Sequence, residues 1–350
     1  MSRVKSKTVW TVAAIIVITT LVISLLTLGI GQARHAVNKA PKDGLFAIKT
    51  ISRKDCTLAP WLVAEKMGFF REEGIRMVYT GETQDALIIP SILKGENDVW
   101  GAHPNTLAVA KAGGAKITGV LRDGIDPPTN LDPRLRHMFW YVNPAKYPNV
   151  KTFADLKNLP GKLKFSTITN NICSDFLTNK IADKNGIPRD KFEWVTMPDV
   201  QAIQALKQGL VDVAGVHPPF YKPMEIAGAR RIADSTEAGL GPAAGVSYTY
   251  FRDDFIKKYP LVVRGFIRAM GRSGAWINAH PDQTAQWTSE AIGIPVTGNH
   301  YHAPSNEIIE SEIEPWIRDL EEHKVNPRGK IKPSDLVTHQ FETHEVFSWK

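Results

Sequence analysis

The chain has 350 residues, of which 43% are apolar and 23% charged, with a formal net charge of +7. This excludes wholesale disorder and allows more than one compact lobe. Two cysteines exclude a disulfide framework and a four-cysteine zinc site, and 23 prolines with 26 glycines argue against a helical bundle. Arg3, Lys5 and Lys7 supply three of the positive charges at the N-terminus. With no Lys/Arg run interleaved with aromatics, the body has no nucleic-acid signature, and its mild basic excess favours anionic ligands.

The charge-free segment 9–30 follows those three cations and predicts an export signal or a membrane anchor at 1–33. Gly31-Gln32-Ala33 offers small residues for cleavage, whereas the length suits a span; both stay open. Either one places the body on the periplasmic or extracellular face of the inner membrane, anchored or secreted, with 34–44 as a tether. In the body, strands are predicted at 45–51, 75–79, 98–101 and 115–121, and helices at 61–70, 86–94 and 105–112. The Pro- and Asp-rich stretch 124–136 reads as a connection, and 139–142 as the strand leaving it. A second block follows, with strands at 162–167, 192–195 and 211–216 and helices beginning at 153 and spanning 174–185 and 200–209. After a strand at 246–251 the pattern is helical: 260–279, 282–292, 308–323 and 333–341. Alternating strands and helices predict an α/β protein with largely parallel sheets. They predict one lobe from 45–138 and 244–345, a second from 139–243, and two crossings around a central cleft.

The run Lys66-Met67-Gly68-Phe69-Phe70-Arg71-Glu72-Glu73-Gly74-Ile75 resembles the first lobe of the sulfonate/nitrate/taurine type of ABC-importer substrate-binding proteins. Leu93-Lys94-Gly95-Glu96-Asn97-Asp98-Val99 resembles that family's repeat unit, and Leu206-Lys207-Gln208-Gly209-Leu210-Val211-Asp212-Val213 repeats it in the second block. The segments 250–260 and 275–281 resemble the return crossing and the helix after it. The resemblance covers about 46–342. It implies the type II periplasmic-binding-protein fold, capture of a small molecule by lobe closure, and delivery to an ABC permease.

In open α/β sheets ligands sit beyond the carboxyl ends of the strands. That rule selects Arg53, Cys56 and Thr57 after the first strand, and His103 and Asn105 after the third. It adds Thr169, Asn170, Asn171 and Cys173 after the first strand of the second block, and His217 and Tyr221 after its last. Arg122-Asp123 is a lesser candidate. His103 and His217 stand in matched Gly-Ala-His-Pro and Gly-Val-His-Pro tetrapeptides, one per lobe, and are expected to face each other and to contact the ligand. Cys56 and Cys173 also fall one per lobe; with two histidines they would suit a soft metal if they converged. No spacing motif requires this, so no metal ligand is assigned and no cofactor is expected. His300 and His302 share a strand-like spacing, but their flanks read as loop.

The leading function is a non-enzymatic extracytoplasmic receptor for a small organic anion, sulfonate-, carboxylate- or nitrate-like. Alternatives are a receptor for a thiamine-pyrimidine or riboflavin-like ring, or for a metal through Cys/His ligands. An enzyme related to thiamine-pyrimidine synthases is disfavoured, because their cysteine-rich cluster is lacking here. The expected partners are the ligand, a permease and, through 1–33, the membrane.

Overall fold

The structure is a computed structural model that describes residues 44–350. The expected signal or anchor, and the tether up to 43, lie outside the described residues. Among the described residues, no helix is long and apolar enough to cross a membrane. Residues 47–350 form one compact unit.

The first block runs β1 (Phe46–Thr50), α1 (Leu58–Lys66), α2 (Phe69–Glu72), β2 (Ile75–Tyr79), α3 (Asp85–Leu93), β3 (Val99–Ala102), α4 (Pro104–Ala112), β4 (Ile117–Arg122) and the two-residue β5 (Gly124–Ile125). The second block holds β6 (Phe139–Val142), β7 (Leu163–Thr167), α5 (Cys173–Lys184), β8 (Phe192–Thr196), α6 (Asp199–Lys207), β9 (Val213–Val216), α7 (Tyr221–Ile226) and β10 (Arg230–Asp234). The chain then forms β11 (Tyr248–Arg252), α8 (Asp253–Lys258), α9 (Pro260–Ala279), α10 (Pro281–Ile292), β12 (Tyr301–His302), α11 (Glu310–Glu322) and α12 (Pro333–Leu336). The strands β5, β10 and β12 and the helices α7 and α8 have no counterpart among the predicted elements; β5 and β12, at two residues each, are too short for a periodic signal.

Strand order corrects the expectation of largely parallel sheets. The second block carries a five-stranded sheet ordered β10-β6-β9-β7-β8, and the first a three-stranded sheet ordered β3-β11-β4. Strand β7 is parallel to β8 and β9, but β6 is antiparallel to β9 and β10, and β11 to β3 and β4. The physical reason is connectivity. Strands β6 and β11 are the ones by which the chain enters a sheet from the other block, so they need no crossover helix and run against their neighbours.

The two repeat units fold alike. Gly95 and Gly209 end α3 and α6 with φ of 76° and 74°, a left-handed turn that a side chain would strain. Three residues on, Asp98 accepts the backbone N–H of Lys49 at 2.9 Å, and Asp212 accepts that of Lys164 at 2.8 Å. Each carboxylate thereby stitches the incoming strand to its neighbour, which explains the aspartate in both units.

A buried apolar cluster includes Ile92, Trp100 and Tyr248 of the first sheet's side and Trp140, Phe165 and Phe176 of the second. Trp316 of α11 belongs to it, stacked on Phe176 at 4.1 Å. Nearby, Arg122 at the end of β4 donates twice to Glu312 of α11, at 2.8 and 2.6 Å, with both side chains nearly buried. Arg122→Met strands that carboxylate without its partner. We expect a loss of about 3–5 kcal/mol, read as a lowered denaturant midpoint; a change below about 1 kcal/mol would show that water reaches Glu312.

Candidate functional site

A cavity of about 170 Å³ lies among the carboxyl ends of strands from both blocks. Its sides carry Trp61, Ile88, Trp100 and Tyr250, and five imidazoles reach it: His103, His137, His217, His300 and His302. The ring of Trp61 stacks on that of Trp100 at 6.1 Å.

The residue before a proline is held out of the helical region. His103 and His217 accordingly take extended backbone, with φ/ψ of −77°/159° and −94°/167°, just after β3 and β9. Each ring is then oriented by one hydrogen bond. His103 Nδ1 donates to the carbonyl of Val246 at 2.7 Å, since a carbonyl can only accept. His217 Nδ1 donates to Asp199 at 2.6 Å, and its backbone N–H meets the same carboxylate oxygen at 3.0 Å. His217 Nε2 points at Cys173 Sγ, 3.1 Å away. Cys173 is the first residue of α5, where the helix N-terminus favours negative charge.

The two matched histidines do not meet directly; His137 stands between them. Its ring centroid is 4.9 Å from that of His103 and 5.4 Å from that of His217, and it stacks on His300 at 4.7 Å. Its backbone N–H donates to buried Asp126 at 2.9 Å, which fixes the crossing segment before β6. On the other side of the cavity His302 Nδ1 bonds Asp123 at 2.7 Å.

Burial opposes ionisation of the Cys173 thiol, but the His103 and His217 rings outweigh it and bring its pKa down to about 6. Burial likewise opposes charge on His217, yet Asp199 and the thiolate raise its pKa well above the usual imidazole range. Both shifts favour a thiolate–imidazolium pair of Cys173 and His217. His137 and His300 move the other way, burial first and neighbouring imidazoles second, and stay neutral. Cys56 is the opposite of Cys173: burial and then Asp55 push its thiol well up.

Of the sequence-selected residues, Arg53, Cys56, Thr57, His103, Thr169, Cys173 and His217 line the cavity. Arg53 is already held by Asp55 and Asp85, and Thr57 donates its hydroxyl to Asp55 at 2.7 Å. Four others lie elsewhere. Asn105 and Asn171 line a separate cavity with Arg189 and Asp319, because both sit on the far side of their helix starts. Asn170 is exposed. Tyr221 is buried, its ring 4.0 Å from Phe139 and its hydroxyl donating to the carbonyl of Arg136 at 2.8 Å; it is a packing residue. Sequence reasoning missed Asp199 and His137 and left His300 and His302 as loop. Only the position of Arg136-His137 at a crossing could have signalled a cleft residue.

Residues 56–284 match the family model described as NMT1/THI5 like, which is more than half of the chain. No curated protein matches. Among solved structures, the ligand-binding component of an ABC-type import system from Staphylococcus aureus with zinc bound is 12% identical, with a TM-score of 0.65 over 84% of this chain and 97% of that one. The periplasmic aliphatic sulphonate-binding protein SsuA from Escherichia coli is 16% identical, with a TM-score of 0.62 over 85% and 94%. The desulfurization enzyme DSZB is 11% identical, with a TM-score of 0.56 over 84% and 97%. At these identities the likeness is one of fold.

The ion pair has a direct test. Cys173 is reactive only as its thiolate, so its alkylation should be fast above about pH 6 and fall away below it, while Cys56 stays unmodified at neutral pH. In His217→Ala the inflection should rise, because one of the two imidazoles that depress it is gone. Site-resolved mass spectrometry reads both, and an inflection at about 8.5 in the unaltered chain would remove the pair.

Proposed function

The chain belongs to the NMT1/THI5-like family, and from that premise we propose that it is an extracytoplasmic solute-binding protein of an ABC importer. Residues 45–138 and 244–345 act as one lobe and 139–243 as the other. They close on a small organic molecule and present it to a permease, with 1–33 holding the body at the membrane or directing its export. The family's type II binding-protein fold supports this. The observation that carries it is a cavity lined from both blocks, with aromatic and aliphatic sides and a few convergent polar groups.

The charge of that cavity bears on the ligand. Arg53 is neutralised by two aspartates, and the imidazolium of His217 lies between the Cys173 thiolate and Asp199. A sulfonate or carboxylate would find no free cation among these lining residues. A flat, neutral or weakly basic ring fits better: it can pack against the Trp61, Trp100 and Tyr250 sides and accept or donate at the imidazoles. Of the receptor readings, the thiamine-pyrimidine or flavin-like ring is thus preferred to the organic anion.

A second reading, catalysis by Cys173, is favoured by one specific arrangement: thiol, imidazole and carboxylate aligned at 3.1 and 2.6 Å. The two readings separate on what becomes of the ligand. A receptor returns it with unchanged mass, and an enzyme returns product or leaves an adduct on Cys173.

Calorimetry against aminopyrimidines, flavins, alkanesulfonates, carboxylates and nitrate tests the ligand class. We expect the rings to bind and the anions not; tight sulfonate binding would reverse the preference. Removing a contacting imidazole, as in His300→Ala, should cost about 1–3 kcal/mol of affinity. With a ring confirmed, small-angle scattering should show a smaller radius of gyration on saturation. Identical dimensions would remove lobe closure.

A further inference from the structure

We propose that His103, His137 and Cys173 form a binding site for a borderline-soft divalent transition metal of the zinc class, with the fourth coordination position open to the cavity. Their candidate ligand atoms all lie within 4.8 Å of one another. Two imidazole nitrogens and one thiolate are a donor set that zinc accepts and magnesium or calcium do not. Zinc–ligand distances of about 2.0–2.3 Å require the three groups to draw in on binding.

Two further observations point to a ligand here. His137 is almost fully buried, at 3% exposure, and its Nε2 has no hydrogen-bond partner among the described residues. A buried, unpaired ring nitrogen is costly, and coordination would satisfy it. Second, the tautomer of His103 is set for coordination. Its Nδ1–H is taken by the Val246 carbonyl, which leaves Nε2 as the nitrogen available to a metal. Metal-bound histidines are commonly oriented in this way, by a backbone carbonyl on the other nitrogen. His217 shows the same logic with a carboxylate: Asp199 takes Nδ1–H, and Nε2 holds Cys173 Sγ at 3.1 Å. That contact keeps the sulfur in place until a metal replaces it.

The site joins three separate stretches of chain. His103 follows β3, His137 precedes β6 and Cys173 opens α5. It also differs from the set that sequence symmetry suggested: Cys56 is absent from it and His137 is essential. An open fourth position, typical of three-ligand protein sites, would let a ring nitrogen of the solute reach the metal. The site does not depend on that solute, nor on transport.

The test is titration of the full chain, kept in mild detergent, with cobalt(II) as a spectroscopic substitute for zinc and no solute present. We expect one cobalt per chain, with a thiolate-to-cobalt absorption band and the strong visible bands of a four-coordinate ion. Cys173→Ser should abolish the thiolate band, and His137→Gln should weaken binding by about 100-fold or more, beyond the 10–100-fold typical of outer-shell partners. Cys56→Ser should change neither. Circular dichroism checks that the variants fold. A measurement on the unaltered chain stands independently: zinc should protect Cys173 from alkylation. Absence of stoichiometric binding, a band that survives Cys173→Ser or is lost in Cys56→Ser, or no protection by zinc would each overturn the proposal. Solute binding is measured separately on chelator-treated protein, so failure of the metal site leaves the receptor reading intact, and the reverse.

Discussion

One buried carboxylate organises the centre of this protein. Asp199, at the start of α6, accepts both the backbone N–H and the ring Nδ1–H of His217. The first bond fixes where β9 ends; the second fixes the tautomer and direction of the ring. With Nδ1 occupied, Nε2 faces Cys173, and the resulting pair holds a negative sulfur at the mouth of α5. A thiolate on a buried side chain is unfavourable by itself. It persists here because an imidazolium stabilised by Asp199 is in contact with it and a second imidazole is near.

The surrounding fold delivers these groups through internal repetition. The same helix–glycine–aspartate–strand unit is used on both sides, and each time the strand ends in Gly-x and is followed by His-Pro. The proline keeps the histidine extended, so its ring stays at the sheet edge. The crossings then add what repetition cannot. Residues 124–137 pass between the blocks, and Asp126 holds the N–H of His137 where both repeat histidines can reach its ring. Trp316, stacked on Phe176 at 4.1 Å and on His103 at 5.1 Å, packs the C-terminal helix α11 against the same centre.

Charge in the cavity is largely spent internally. Arg53 is bound by Asp55 and Asp85, His302 by Asp123, and His217 by Asp199 and the thiolate. What remains for an outside molecule is aromatic and aliphatic surface together with neutral imidazoles, a chemistry of rings or metal ions more than of strong anions.

The sequence by itself determined the α/β class, the two-block order, the repeat units and the prolines that pin His103 and His217. These are local properties: periodicity, helix stops and φ restriction act within a few residues. It also brought out Cys173 and Thr169, because the rule about strand ends needs only the strands. It misplaced Asn105, Asn170, Asn171 and Tyr221, because which side of a helix start faces the cleft depends on packing against the other block. It could not reveal His137 as the ring between the repeat histidines, Asp199 as the base of the thiolate pair, or the antiparallel entry strands β6 and β11. Those follow from contacts between residues far apart in the chain, such as Asp199 with His217 and Asp126 with His137 and Ser235. Only the tertiary structure could decide them, because a hydrogen bond or a desolvated charge depends on distance in space and not on separation in sequence.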